Sequence, residues 1–194
     1  NPMQYKRWPL RNQVLGLLFG LLLVCSGTQA SDNPRVLITT TLGEIEIELL
    51  ENLAPLHVER FLSLVDDAFY DGLIFHRVIP GFVIQAGGYT KDLEYRPFER
   101  GVANESFNGV SNARFSVAMA RLDDPDSGNT QFFINVNDND FLDAKRNKPG
   151  YTVFGRVIAG KDVVEAIELV DTHLRMGMAG VPEEPIEILS TIKQ

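Results

Sequence analysis

Residues 75–88 read FHRVIPGFVIQAGG and set three polar side chains, His76, Arg77 and Gln85, among Val, Ile and Phe. A strand of alternating apolar residues normally builds a core, so an arginine and a glutamine within it need either partners or a task. With partners, Arg77 is one half of a salt bridge and Gln85 a surface amide. With a task, they are a fixed cation and a neutral amide converging on one patch floored by Phe82, which offers charge and hydrogen bonding. Convergence requires that the strands on either side of the Pro80-Gly81 turn, 73–75 and 82–84, lie side by side.

Several other kinds of chemistry are excluded or disfavoured. Cys25 is the one cysteine, so no disulfide can form within the chain. His57, His76 and His173 stand far apart with no metal-ligand spacing, and no phosphate-cradling glycine loop occurs. A net charge of −8 with scattered Lys and Arg argues against a nucleic-acid surface. The expectation is therefore no metal, no cofactor and no nucleic acid. At 194 residues and 44% hydrophobic content, the chain suits one globular domain plus a short appendage.

That appendage reads as an address. Lys6, Arg7 and Arg11 precede an eleven-residue apolar run, 14–24, which is too short to span a bilayer but fits the middle of a secretory signal. The small residues Thr28 and Ala30 place cleavage after Ala30, giving a signal peptide over 1–30 and a domain over 31–194. Cleavage near Ser26, lipidation at Cys25 and an uncleaved anchor are the minority alternatives, Val24 being larger than a lipidation site usually wants. The signal implies export.

The elements that must position the patch follow from periodicity. Val36, Ile38 and Thr40, then a turn at Thr41-Leu42-Gly43 and the alternation 44–49, predict a hairpin with one dry and one wet face. Pro55 followed by Val58, Phe61, Leu62 and Val65 predicts a helix, with His57 off its apolar stripe as a surface histidine. Strands are predicted over 115–120, 131–136, 151–158 and 186–189, a helical turn over 141–143, and a second helix over 161–170 with Val163, Val164, Ile167 and Val170 inward. Many short strands and two helices without a βαβ rhythm indicate an antiparallel barrel or sandwich capped by helices.

Five motifs then carry a resemblance. FHRVIPGFVIQAGG at 75–88, SVAMAR at 116–121, QFFI at 131–134, FLD at 141–143 and VFGRV at 153–157 together resemble the cyclophilin type of peptidyl-prolyl cis/trans isomerase, in family order and spacing. The resemblance spans about 36–192. It implies a mainly β fold, a closed eight-stranded antiparallel barrel capped by two α-helices. It also implies Arg77 as catalytic residue and Gln85 as a substrate-binding amide. Phe82, Val83, Phe133 and Leu142 would form the pocket for the proline ring, and Met119, Ala120, Arg121 and Gln131 the groove wall, with backbone near Ala120 and Arg121 pairing with substrate. His76 would be a locally satisfied rim histidine. Val83, Phe141 and Tyr151 stand where many relatives have Met, Trp and His; Phe141 and Tyr151 resemble the bacterial branch, which together with the secretory signal implies a periplasmic location, and the missing indole N–H implies weak cyclosporin binding.

The implied partners are proline-containing unfolded or partly folded polypeptides, met by a monomer. The implied function is acceleration of X-Pro rotation, assisting the folding of exported proteins. The alternative is a chaperone that holds proline-containing chains in the same groove without turnover; a small-ligand carrier with a hollow barrel is disfavoured by the crowded aromatic and aliphatic strand positions.

Overall fold

A computed structural model describes residues 2–3, 33–98 and 100–194. Apart from Pro2 and Met3, the predicted signal, with Cys25 and Ala30, lies outside the described residues. The strands are β1 (Arg35–Thr40), β2 (Gly43–Leu49), β3 (Leu73–Ile79), β4 (Val83–Thr90), β5 (Ser116–Met119), β6 (Phe132–Asn135), β7 (Val153–Ala159), β8 (Thr172–Arg175), β9 (Met178–Pro182) and β10 (Ile188–Lys193). The helices are α1 (Pro55–Asp66) and α2 (Lys161–Glu168).

Eight strands form one antiparallel sheet in the order β10-β1-β2-β7-β5-β6-β4-β3. Its edges meet through Gly72 N–H to Ile188 carbonyl and Phe75 N–H to Ile186 carbonyl, both 2.9 Å, and a bridge between Ile74 and Glu187. This short seam makes the sheet a nearly closed barrel and removes most of its two open edges. Period-two alternation fills the interior: Val36 and Ile38 from β1, and Ile45, Ile47 and Leu49 from β2, are all fully buried.

The helices α1 and α2 cap the barrel. Pro55 pre-sets the first turn of α1, and Phe61 enters the core to meet Tyr70, Phe132 and Phe154 at ring-centroid distances of 5.2, 5.5 and 5.2 Å. Tyr70, fully buried, donates its hydroxyl to the Thr130 carbonyl at 2.9 Å. In α2, Val164 and Ile167 are buried, with Val163 and Val170 packed beside them.

The structure departs from the sequence expectation in several places. The hairpin β8–β9 was not predicted. Its turn uses Met176 and Gly177, both at positive φ, where the usual Asn-Gly or Asp-Gly cue is absent. The final strand starts at Ile188 and runs to Lys193 instead of covering 186–189. His57 is 2% exposed, not a surface residue. Glu105, from the long 91–114 connection, accepts from the Leu56 and His57 backbone N–H groups at 3.1 and 3.0 Å and from His57 Nδ1 at 2.6 Å. The carboxylate can only accept, so His57 carries its proton on Nδ1. No side chain from the N-cap residue serves this helix end; a distant glutamate does, where the helix dipole favours an anion.

His76 is also interior, at 3% exposure, instead of lying at the rim. Its ring centroid lies 4.7 Å from that of Tyr89, and its Nδ1 has no hydrogen-bond partner among the described residues. Burial pushes His76 down to about 4, the Arg77 charge adding to the fall while hydrogen bonding to Ile74 and Gln131 opposes it. Burial likewise lowers His57, against the pull of Glu105. Both folded values lie below the unfolded value near 6.5, so the unfolded chain binds more protons and stability is lost as pH falls from about 6.5 toward 4. For His76 the loss is roughly 3 kcal/mol. Urea denaturation from pH 7.5 to 4.5 is expected to show this decline, and His76→Phe to flatten it; an identical slope in wild type and variant would count against the assignment.

Candidate active site

The two polar arms sit on the β3–β4 hairpin. Its ladder pairs Phe75 with Ala86 and Arg77 with Gln85, so β3 spends two residues where β4 spends one. In unbroken alternation Arg77 would share the inward face with Phe75, burying an unpaired cation. The bulge at His76 turns it outward, and alternation resumes with Val78 in the core. On β4, Ile84 and Ala86 point inward while Val83 and Gln85 face a surface groove of about 370 Å³, at the small end of the range for ligand clefts.

Arg77 Nη1 donates to Gln85 Oε1 at 3.3 Å, and its guanidinium carbon lies 5.8 Å from the Phe82 ring centroid. Among the described residues no carboxylate forms an ion pair with Arg77, and Gln85 is its side-chain partner there. Gln85 Nε2 in turn donates to Gln131 Oε1 at 2.9 Å. Arginine only donates, so Gln85 must present its oxygen to it, which fixes the amide orientation. The glycine pair of the 75–88 motif makes room for this row. A Cβ on Gly88 would lie 2.6 Å from the Gln131 amide, and one on Gly87, at φ +93°, 2.6 Å from the Thr130 carbonyl.

The apolar end of the groove is a second cluster, outside the barrel core. Phe133, paired with Gln85 on β4 and Ala118 on β5, packs with Val83, Ala118 and Val153; Phe82, Ala120, Leu142 and Tyr151 close over it. Phe133 and Tyr151 meet edge to face at 5.7 Å. Leu142 arrives on the single helical turn Asp140–Leu142, in agreement with the predicted turn.

Nine of the twelve residues named from sequence line this groove: Arg77, Phe82, Val83, Gln85, Ala120, Arg121, Phe133, Leu142 and Tyr151. Gln131 lies in the adjoining hollow with Tyr95 and Asn129, which shares Gln85, Ala120 and Arg121 with the groove. Phe141 is 59% exposed and stacks on Phe82 at 5.7 Å, extending the rim. Met119 is displaced from the expected wall, because β5 alternation sends it into the barrel core. Two details limit the wall further. Ala120 N–H is already committed to the Gln131 carbonyl at 2.9 Å. Arg121 folds back onto Tyr151, 4.7 Å from its ring centroid, and donates to the Pro149 and Gly150 carbonyls.

Sequence reasoning missed three asparagines behind the groove, Asn112, Asn135 and Asn139, all buried. The signal was present for Asn135, which ends the apolar run QFFIN as conspicuously as Gln85 interrupts its own strand.

Comparison with known proteins agrees with this architecture. The family profile described as cyclophilin type peptidyl-prolyl cis-trans isomerase/CLD matches residues 35–193. A peptidyl-prolyl cis-trans isomerase of Acinetobacter baylyi is 45% identical over 176 residues, covering 91% of this chain and 93% of its own. Peptidyl-prolyl cis-trans isomerase A of Dickeya dadantii is 44% identical over 161 residues, covering 83% and 85%. In structure, a cyclophilin-type isomerase of Cryptosporidium parvum superposes with a TM-score of 0.70 at 24% identity, covering 83% of this chain and 97% of its own. The chain belongs to the cyclophilin-type peptidyl-prolyl cis-trans isomerase family.

Proposed function

We propose that this isomerase turns over X-Pro bonds with Arg77 as its catalytic residue, on polypeptides exported to the periplasm. Catalysis of peptidyl-prolyl cis/trans isomerisation is the activity of the family. The observation that carries the residue assignment is an arginine without an ion-pair partner among the described residues, steadied by Gln85 at 3.3 Å beside an apolar slot.

The reaction needs no nucleophile. Amide resonance sets a barrier of about 18–20 kcal/mol to rotation, and in the twisted form the nitrogen regains a localised lone pair. A fixed cationic donor beside that nitrogen binds the twisted form better than the planar one, and each 1.4 kcal/mol or so of that difference gives about tenfold in rate. A guanidinium suits the task because its planar fork can address the nitrogen and a carbonyl from one orientation. Gln85 keeps a second Nε2 hydrogen for a carbonyl. Phe82, Phe133 and Leu142 hold the ring so that the other side of the bond swings, and their low-dielectric wall strengthens the arginine's field.

Phe141 supports weak cyclosporin binding, since its exposed ring has no N–H to donate. The basic, apolar and small-residue succession over 1–30 supports export with cleavage after Ala30, and β1 begins downstream at Arg35. Among the described residues no helix is long and apolar enough to cross a membrane. The mature protein is proposed to act as a monomer.

An exchange assay on an X-Pro peptide is expected to show a loss of about 100- to 1,000-fold in kcat/KM for Arg77→Ala, the range for removing one transition-state donor. Arg77→Lys should recover only part, and cyclosporin should inhibit the wild type weakly. Full activity in folded Arg77→Ala would remove the catalytic role. N-terminal sequencing of protein recovered from the periplasm of an expressing bacterium should begin at Ser31, and sedimentation should give a monomer. A retained leader, or lipid mass on Cys25, would contradict the export route.

A further inference from the structure

Behind the proline slot lies a chain of three carboxamides. Asn112, Asn135 and Asn139 are 0%, 0% and 2% exposed. Asn139 Nδ2 donates to the Phe82 carbonyl at 2.9 Å and to Asn135 Oδ1 at 2.8 Å. Asn135 Nδ2 donates to Asn112 Oδ1 at 3.2 Å and to Ser116 Oγ at 2.9 Å. Asn112 Nδ2 donates to Asp143 Oδ1 at 2.9 Å and to the Tyr151 carbonyl at 3.3 Å.

Both ends of the chain dictate its polarity. The Phe82 carbonyl and the Asp143 carboxylate can only accept, so Asn139 and Asn112 must each turn an NH₂ group toward them. Every amide hydrogen of the three side chains then has an acceptor. A buried polar network that is fully satisfied in this way holds one geometry, because any flip strands a donor or an acceptor away from water.

The segments joined by this chain are those that form the proline slot. Phe82 comes from the β3–β4 turn, Leu142 from the helical turn before Asp143, and Tyr151 from the approach to β7. Backbone bonds complete the frame: Asn139 N–H to the Asn112 carbonyl, Leu142 N–H to the Asn139 carbonyl and Tyr151 N–H to the Leu142 carbonyl, each 2.9 Å. Ser111 also donates to Asp143, at 2.6 Å. None of the three amides lines the groove, and the Arg77–Gln85–Gln131 row is held by separate bonds.

We propose that Asn112, Asn135 and Asn139 are positioning residues that set the spacing of Phe82, Leu142 and Tyr151, and so tune how tightly the proline ring is gripped without touching the rotation step. This rests on reading the groove as the proline site. The Phe82 carbonyl also accepts from Val136 N–H at 3.0 Å, so losing Asn139 loosens Phe82 without releasing it. The signature is a split between binding and turnover.

The test is an NMR titration of a blocked tetrapeptide with Ala-Pro at its centre, reading Kd from shifts and cis/trans exchange of the bound peptide at saturation. Asn139→Ala is expected to raise Kd about tenfold, the scale of losing its one bond to the slot, that to the Phe82 carbonyl, with bound-state exchange within about twofold of wild type. Asn139→Ser, whose shorter donor can serve one partner, should fall between them, and it decides the matter if the alanine variant does not fold. Ile38→Val loosens the barrel core away from the network and should keep the wild-type Kd. An unchanged Kd in the folded Asn139 variants, an equal rise in Ile38→Val, or a fall confined to exchange would overturn the proposal. Wild-type protein that binds the peptide but catalyses no exchange would remove the isomerase reading while leaving the Kd comparison valid.

Discussion

One extra residue in the β3–β4 ladder decides which face of the barrel carries Arg77. Flanking Arg77, Phe75 and Val78 both point into the barrel, and only the bulge at His76 lets the arginine between them face outward. The driving force is desolvation. A guanidinium on the inner face would sit among Phe75, Ile84 and Phe132 with nothing to pair it, at a cost of several kcal/mol. The sheet gives up regular pairing at one step, and the same irregularity places Arg77 directly opposite Gln85.

From that register the remaining site follows by strand geometry. Gln85 pairs with Phe133 across β4–β6, and Phe133 with Ala118 across β6–β5, so polar arms and apolar slot lie on neighbouring strands of one rigid sheet. The inner face of the same strands is a filled core of aromatic and branched side chains. Such packing resists displacement, which keeps the arginine, its glutamine brace and the slot at fixed separations. Only the slot's outer lip, built from Phe82, Leu142 and Tyr151, comes from irregular chain, and there buried amide bonds take over the role of the ladder.

How much of this was legible in the sequence depended on the kind of signal. Alternation in 36–49 and the Pro55 helix gave β1, β2 and α1 nearly residue for residue, because burial on one face imposes a period that composition displays. The β8–β9 hairpin was invisible: only Val181 and Pro182 at its end are buried, so it leaves no alternation to read. His57 was misplaced because helical periodicity cannot reveal a partner arriving from Glu105, 48 residues later. For the site, ordered motifs named the groove residues, but one-residue parity moved Met119 inward, and Asn112, Asn135 and Asn139 were passed over since no single strand shows that three distant amides meet.

On the proposed mechanism Arg77 and Gln85 act as one unit, the amide holding the guanidinium where a twisting bond needs it. A double-mutant cycle on kcat/KM with Arg77→Ala, Gln85→Ala and the pair measures this directly. The two losses are expected to overlap, so that Gln85→Ala costs far less once Arg77 is gone. Losses that multiply independently would contradict it, leaving two side chains that share a strand pair but not a task.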